Sequence, residues 1–156
     1  LEFHFPVTMT ERFIRHLKEN EYLQTITSNQ SIQFEGMMTG LIDLIIRFNN
    51  KYFLIDYKSN YLGNGYENYT PDALQFAIQE HNYDLQYLIY CVALHRYLDA
   101  RLPDYNYETH FGGVKYLFLR GMQGKNSIDT GIYNDKPSLE LMLALDALLK
   151  ETADAN

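Results

Sequence analysis

Apolar and polar residues alternate at the start of the chain, where Leu1, Phe3, Phe5 and Val7 are separated by Glu2, His4 and Pro6. That period predicts a half-buried strand, and Pro6 places it at an edge or a strand end because proline has no N–H for a ladder. Thr10 is the predicted N-cap of a short helix to about Asn20, with Phe13, Ile14 and Leu17 on its inner face. A polar stretch from Thr25 to Gln30 leads into Ile32-Gln33-Phe34-Glu35-Gly36. Leu41 to Phe48 and Tyr52 to Lys58 predict two strands joined by a tight turn at Asn49-Asn50, a pair that tolerates the positive φ of a two-residue hairpin. Ser59 to Tyr69, with Gly63 and Gly65, reads as a loop. Thr70-Pro71-Asp72 follows as N-cap, first helical residue and first-turn acid of a helix to about Glu80. A longer helix from about Tyr83 to Leu102 stops before Pro103 and carries Leu85, Leu88, Ile89, Val92 and Leu98 on a wide apolar face. Phe111 to Leu119 predicts a third strand, and Ser138 to Lys150 a Leu-rich helix after Pro137.

No internal repeat or linker divides this pattern. Strands followed by helices and a further strand predict one mixed α/β domain over residues 1–156, a central mixed sheet flanked by helices. At 156 residues and 46% hydrophobic, the chain is long enough to bury a real core. No apolar run approaches a membrane span, and the start lacks the basic region of a secretory signal, so a soluble intracellular protein is expected. The chain opens on Leu1, directly inside a strand pattern, and reads as a fragment of a longer one. A single cysteine, Cys91, excludes an internal disulfide and a zinc site built from cysteines. The aromatic content, 14 Tyr and 9 Phe with no Trp, is largely amphipathic. A net charge of −7 argues against holding nucleic acid by bulk positive charge, though it says nothing against an acidic site that needs a cation.

The hairpin supplies such a site. With Asn49 and Asn50 as the loop, Phe48 opposes Lys51, Ile46 opposes Phe53, and Asp43 opposes Asp56. Opposed residues have Cβ atoms roughly 4.5–5.5 Å apart on one face. Two acids so placed, among Ile42, Leu44, Leu54 and Ile55, are destabilising unless something positive lies between them. A divalent cation supplies that charge, and hard carboxylate oxygens suit Mg²⁺ or Mn²⁺. Lys58, two residues beyond Asp56, falls on the same face, where an ammonium can orient a metal-bound water or stabilise charge on a phosphoryl oxygen. A structural alternative stands beside this: each aspartate caps a strand end or meets an arginine such as Arg47 or Arg120. On the residues alone the two are evenly matched.

Other chemistry-bearing residues rank lower. Glu2 and Glu35 read as solvated, and His81, His95 and His110 lack metal-ligand spacing. Cys91 reads as core and Gly112-Gly113 as a close backbone approach or bulge. Arg47, Arg96 and Arg120 suit either a DNA backbone or salt bridges.

Longer blocks point further. Gly36-Met37-Met38-Thr39-Gly40-Leu41-Ile42-Asp43-Leu44-Ile45 and Leu54-Ile55-Asp56-Tyr57-Lys58-Ser59-Asn60 resemble the C-terminal nuclease domains of RecB-type helicase–nucleases. These are subunits of RecBCD enzymes (exodeoxyribonuclease V), in the PD-(D/E)xK superfamily. The likeness continues through Tyr83 to Tyr90, Ala93 to Leu98, His110 to Val114 and Tyr116 to Gly121. The resemblance implies a restriction-endonuclease-like core and a Mg²⁺-dependent DNA nuclease with one metal per site. Asp43 would be the first carboxylate ligand, Asp56 the second, bridging metal and scissile phosphate. The Tyr57 backbone carbonyl would add a ligand, and Lys58 would be the catalytic lysine. Gln86 and Tyr90 match the family's Gln-x-x-x-Tyr motif beside the active site, and their spacing puts both on one helix face. The family has a further metal ligand, a histidine on an upstream helix. His4 and His16 do not match its position, so the expectation is a fragment with an incomplete site.

The resemblance also implies partners: single-stranded DNA ends from unwound duplex, the RecC and RecD subunits, and RecA. ATP-driven unwinding would belong to another part of such a protein, since no P-loop occurs here. The competing expectation is a catalytically silent docking module for RecC or RecA.

Overall fold

Asn49 and Asn50 both take positive φ, 47° and 63°, the backbone of a tight hairpin turn. They join β3 (Leu44–Phe48) to β4 (Lys51–Lys58), which pair antiparallel with Phe48 opposite Lys51, Ile46 opposite Phe53 and Leu44 opposite Ile55. The computed structural model containing this hairpin describes residues 2–9, 11–25, 34–124 and 130–150. From β4 the chain crosses over through α2 (Pro71–Glu80) and α3 (Tyr83–Arg101) before returning as β5 (Phe111–Phe118), parallel to β4. A parallel neighbour requires such a crossover, and here it is helical, as the sequence predicts. A short helical turn, α4 (Tyr107–His110), leads into β5. β6 (Ile132–Asp135) closes the sheet antiparallel to β5, and α5 (Leu139–Lys150) ends the described chain. The sheet order is β3-β4-β5-β6, a mixed sheet as the fold class requires.

Strand alternation sorts the sheet into two faces. Leu54, Val114, Tyr116 and Phe118 point toward α3 and join one core cluster with Tyr87, Leu88, Cys91 and Val92. Phe13 and Leu17 of α1 (Glu11–Glu19) and Met142 and Leu145 of α5 complete it. The opposite face carries Leu44, Ile46 and Phe48 of β3, with Phe48 64% exposed. Among the described residues, no helix is long and apolar enough to cross a membrane.

The N-terminal half departs from expectation. β1 (Glu2–Met9) pairs antiparallel with β2 (Phe34–Leu41), Glu2 opposite Leu41 and Met9 opposite Phe34, as a separate two-stranded ribbon. Either strand has one neighbour, so Pro6 does sit on an edge strand. The strand expected over Leu41 to Phe48 begins only at Leu44: Leu41 is the last residue of β2, a strand the sequence reading did not assign, and Ile42-Asp43 form the break. Ile42 is buried while Asp43 turns its carboxylate back onto β4. The predicted N-cap Thr10 and the stretch 26–33 lie outside the described residues. The helices predicted after Thr70, from Tyr83 and after Pro137 are α2, α3 and α5, with ends within a residue or two. β6 escaped the sequence reading because four half-polar residues carry too little periodicity.

Candidate functional site

β4 contributes two charged side chains to one end of the sheet. Asp56 and Lys58 alternate onto the α3-facing side, and Lys58 Nζ lies 2.6 Å from Asp56 Oδ2. Oδ2 is buried, with the Lys58 ammonium as its charge partner. Burial is the largest influence on Asp56 and pushes its carboxyl up. Lys58 pulls it back, and the nearby Asp43 charge pushes it up again.

Asp43 occupies the bend between β2 and β3. Its Oδ2 accepts the Tyr57 backbone N–H at 3.2 Å. In the hairpin, residues 51, 53 and 55 direct their N–H and C=O toward β3, and Tyr57 continues that alternation past the last pair. Its carbonyl thus faces the same side as its N–H, next to Asp43. Asp43 and Asp56 are brought together as the register implies, although the ladder itself ends at Leu44–Ile55.

The first turns of α3 supply the uncharged part. Gln86 Oε1 accepts from Lys58 Nζ at 3.0 Å and from the Tyr116 hydroxyl at 2.9 Å, while Gln86 Nε2 donates to the Tyr90 hydroxyl at 3.2 Å. Burial raises the Tyr90 phenol, the Gln86 bond lowers it, and the charges of Asp56 and Asp43 raise it. The Lys58 ammonium also lies 4.0 Å from the Tyr83 ring centroid and 4.7 Å from that of Tyr116. A groove of about 280 Å³ adjoins these residues, lined by Thr39 and Gly40 of β2 and by Asn82, Leu85, Gln86, Ile89 and Tyr90.

All the predicted site residues therefore share one locality. Neither arginine offered as a structural partner reaches the acids: Arg47 donates to Asn50 Oδ1 at 2.5 Å, and Arg120 to the Ser59 carbonyl at 3.0 Å. Arg96 pairs with Asp146 of α5 at 2.5 Å. His95 contacts the Tyr105 hydroxyl, His110 the Asn106 backbone, and His81 lies 4.0 Å from Glu80. Cys91 is wholly buried, and burial pushes its thiol up, away from nucleophile behaviour. Among the described residues, no group of three His, Cys, Asp or Glu side chains is placed to hold a metal. The side-chain ligands on offer are two carboxylates, one with a buried oxygen lacking a hydrogen bond, beside a backbone carbonyl. That donor set fits a hard divalent cation.

Sequence reasoning missed Tyr83 and Tyr116. Tyr83 had a signal, since it lies one helical turn before Gln86. Tyr116 had none, because its place beside Asp56 comes from the parallel register of β4 and β5.

The family model for the PD-(D/E)XK nuclease superfamily matches residues 4–155. The chain is 47% identical over 148 residues to "RecBCD enzyme subunit RecB" of Haemophilus influenzae, covering 93% of the chain and 12% of that protein. The same-named subunit of Escherichia coli is 50% identical over 117 residues, 75% of the chain and 10% of that protein. That of Buchnera aphidicola subsp. Schizaphis graminum is 43% identical over 135 residues, 82% of the chain and 11% of that protein. The chain thus spans about a tenth of the length of these relatives.

Proposed function

Since the chain belongs to the PD-(D/E)XK nuclease superfamily, we propose that residues 1–156 form the nuclease domain of a RecB-type helicase–nuclease that hydrolyses DNA phosphodiesters with Mg²⁺. The observation that carries this reading is the convergence of Asp43, Asp56 and Lys58 at one end of β4, with Gln86 bonded to that lysine.

In this proposal Asp43, Asp56 and the Tyr57 carbonyl hold one Mg²⁺. When bound, the cation polarises the scissile phosphate and makes a water more acidic. The chain's own residues do the rest. Asp56, beside Lys58 on β4, would be the second carboxylate to hold the cation. Lys58 directs an N–H at a phosphoryl oxygen, or at the attacking water, and offsets the charge that develops as the P–O bond breaks. Gln86 keeps that ammonium aimed through its 3.0 Å contact. Tyr90 fixes the far end of the Gln86 amide.

The wider setting is proposed from the relatives. The domain acts on single-stranded ends of unwound DNA during break repair and recombination, in a cytoplasmic assembly with RecC and RecD, and with RecA as a further contact. ATP-driven unwinding falls to other parts of such a protein. The net charge of −7 agrees with strand delivery by those parts, not by this surface.

Thermal denaturation across a Mg²⁺ titration tests the metal assignment. The expected result is a rise in Tm with Mg²⁺ that is lost in Asp56→Ala. A metal-linked rise unchanged in Asp56→Ala overturns it. A rise without any DNA cleavage supports the silent docking module instead.

A further inference from the structure

We propose that Tyr116 and Tyr83 are positioning residues for the nuclease reaction. Tyr116 donates to the Gln86 amide oxygen that faces Lys58 and holds it in place, and the two phenol rings floor the ammonium. The catalytic consequence rests on the nuclease reading above, whereas the orientation of Gln86 does not.

A glutamine amide can present either its oxygen or its nitrogen to a neighbour, and the two ends are nearly the same size. An ammonium has three donors and no acceptor, so only Oε1 can serve Lys58 at 3.0 Å. Lys58 alone is a weak lock, because its own side chain has four rotatable carbons. Tyr116 is stiffer. It sits on β5 directly beside Asp56, its ring is 1% exposed within the core, and its hydroxyl reaches the same Oε1 at 2.9 Å. A phenol can donate or accept, so the ammonium sets which end of the amide faces inward, and the Tyr116 hydroxyl, donating to that same oxygen, adds a second bond that holds it in place. On the other end, Nε2 donates to the Tyr90 hydroxyl at 3.2 Å. Tyr116 thereby transmits the rigidity of the sheet core to the lysine through one shared acceptor.

The rings act on the same ammonium. Tyr83 and Tyr116 hold their centroids 4.0 Å and 4.7 Å from Nζ, inside the range of cation–π attraction. The rings are tilted at 58° with centroids 6.0 Å apart, so they bound the ammonium on two sides. Tyr83 is itself tied down, since its hydroxyl donates to Asn60 Oδ1 at 3.3 Å, in the loop leaving β4. With Gln86 accepting one N–H and the Asp56 carboxylate beside the ammonium, Lys58 keeps an N–H to aim at substrate.

The test uses Tyr116→Phe, which keeps the ring and removes only the donor. Side-chain amide NMR of metal-free protein should show the Gln86 NH₂ protons as distinct and slowly exchanging in the native chain, and faster exchanging in Tyr116→Phe. Tm should change little between the two. In the Mg²⁺-loaded protein, Tyr116→Phe should lower kcat about three- to tenfold with KM unchanged, the size expected for one lost hydrogen bond. Tyr83→Leu should lower kcat about tenfold, and Tyr83→Phe, which keeps the ring, should recover most of that loss. A Gln86 amide unaffected by Tyr116→Phe overturns the lock, and equal kcat in Tyr83→Phe and Tyr83→Leu overturns the role of the ring. If native protein cleaves no DNA, the nuclease reading fails, while the amide measurement still decides the lock.

Discussion

The Asp43 carboxylate accepts the backbone N–H of Tyr57 at 3.2 Å, a bond that replaces the next rung of the β3–β4 ladder. A side chain thus ends the hairpin at the point where two acids meet. The same bond leaves the second oxygen of Asp43 for other work and keeps the Tyr57 carbonyl alongside. Asp43→Asn can still accept that N–H through its amide oxygen, whereas Asp43→Ala cannot. Both should lose at least about 100-fold in cleavage, as expected when a metal ligand is removed. Chemical denaturation should separate them: Asp43→Ala costs about 0.5–1.5 kcal/mol, and Asp43→Asn less. Equal stability in the two would show that the Tyr57 contact does not hold the bend.

Lys58 compensates Asp56 in the metal-free protein at 2.6 Å. Lys58→Met should therefore destabilise the metal-free protein at neutral pH, by leaving a buried carboxylate without its counter-charge. Mg²⁺ should restore stability and raise Tm by more than in the native chain. Cleavage should still fall at least about 100-fold, since the cation does not replace the lysine's own hydrogen bond. Loss of the Mg²⁺-linked shift in Lys58→Met would contradict the separation of these roles.

Asp84 is 2% exposed and accepts the Leu23 N–H at 2.7 Å and the Leu85 N–H at 2.9 Å. Burial nevertheless dominates and holds its carboxyl above the ordinary 3.8, with the backbone bonds lowering it only in part. The folded state thus binds this proton more tightly than the unfolded chain. That favours folding below 3.8, and the advantage is lost as pH rises through the folded-state value. Asp56 carries the same sign. Asp84→Asn removes the Asp84 share, so its stability relative to the native chain should improve from pH 4 to pH 7. Urea denaturation at the two pH values measures this, and a constant difference would refute it.

Gly113 has φ +95°, and a Cβ there would collide with the Asp135 carbonyl oxygen of β6. It lies just after the irregularity where β5 shifts register against β4, between Tyr52 and Phe53. Gly113→Ala should cost about 2 kcal/mol or more in denaturant unfolding and loosen the β5–β6 edge. A cost below about 0.5 kcal/mol would show that β6 yields freely.

The parts of this fold that were legible in the sequence are those fixed by local rules. The Asn49-Asn50 turn set the hairpin register, and Pro71, Pro103 and Pro137 marked the helix limits. What stayed hidden depends on pairings distant in the chain. β2 went unassigned because Gly36 and Gly40 interrupt its apolar pattern, and its pairing with β1 is what makes it a strand. Asp84 drew no separate reading in the sequence, and its carboxylate accepts the N–H of Leu23, 61 residues earlier. At the site, the charged residues were visible because like charges in apolar strands demand an explanation. Tyr116 and Tyr83, which shape the surroundings of the lysine, resemble any other core aromatic until the parallel register brings them to it.

The most direct measurement is hydrolysis of end-labelled single-stranded DNA by the protein with Mg²⁺, with and without EDTA, beside Asp56→Asn. Mg²⁺-dependent cleavage, abolished by EDTA and reduced at least about 100-fold in Asp56→Asn, is the expected result. Cleavage by Asp56→Asn at the native rate, or cleavage that survives EDTA, would contradict a site built on Asp43, Asp56 and Lys58.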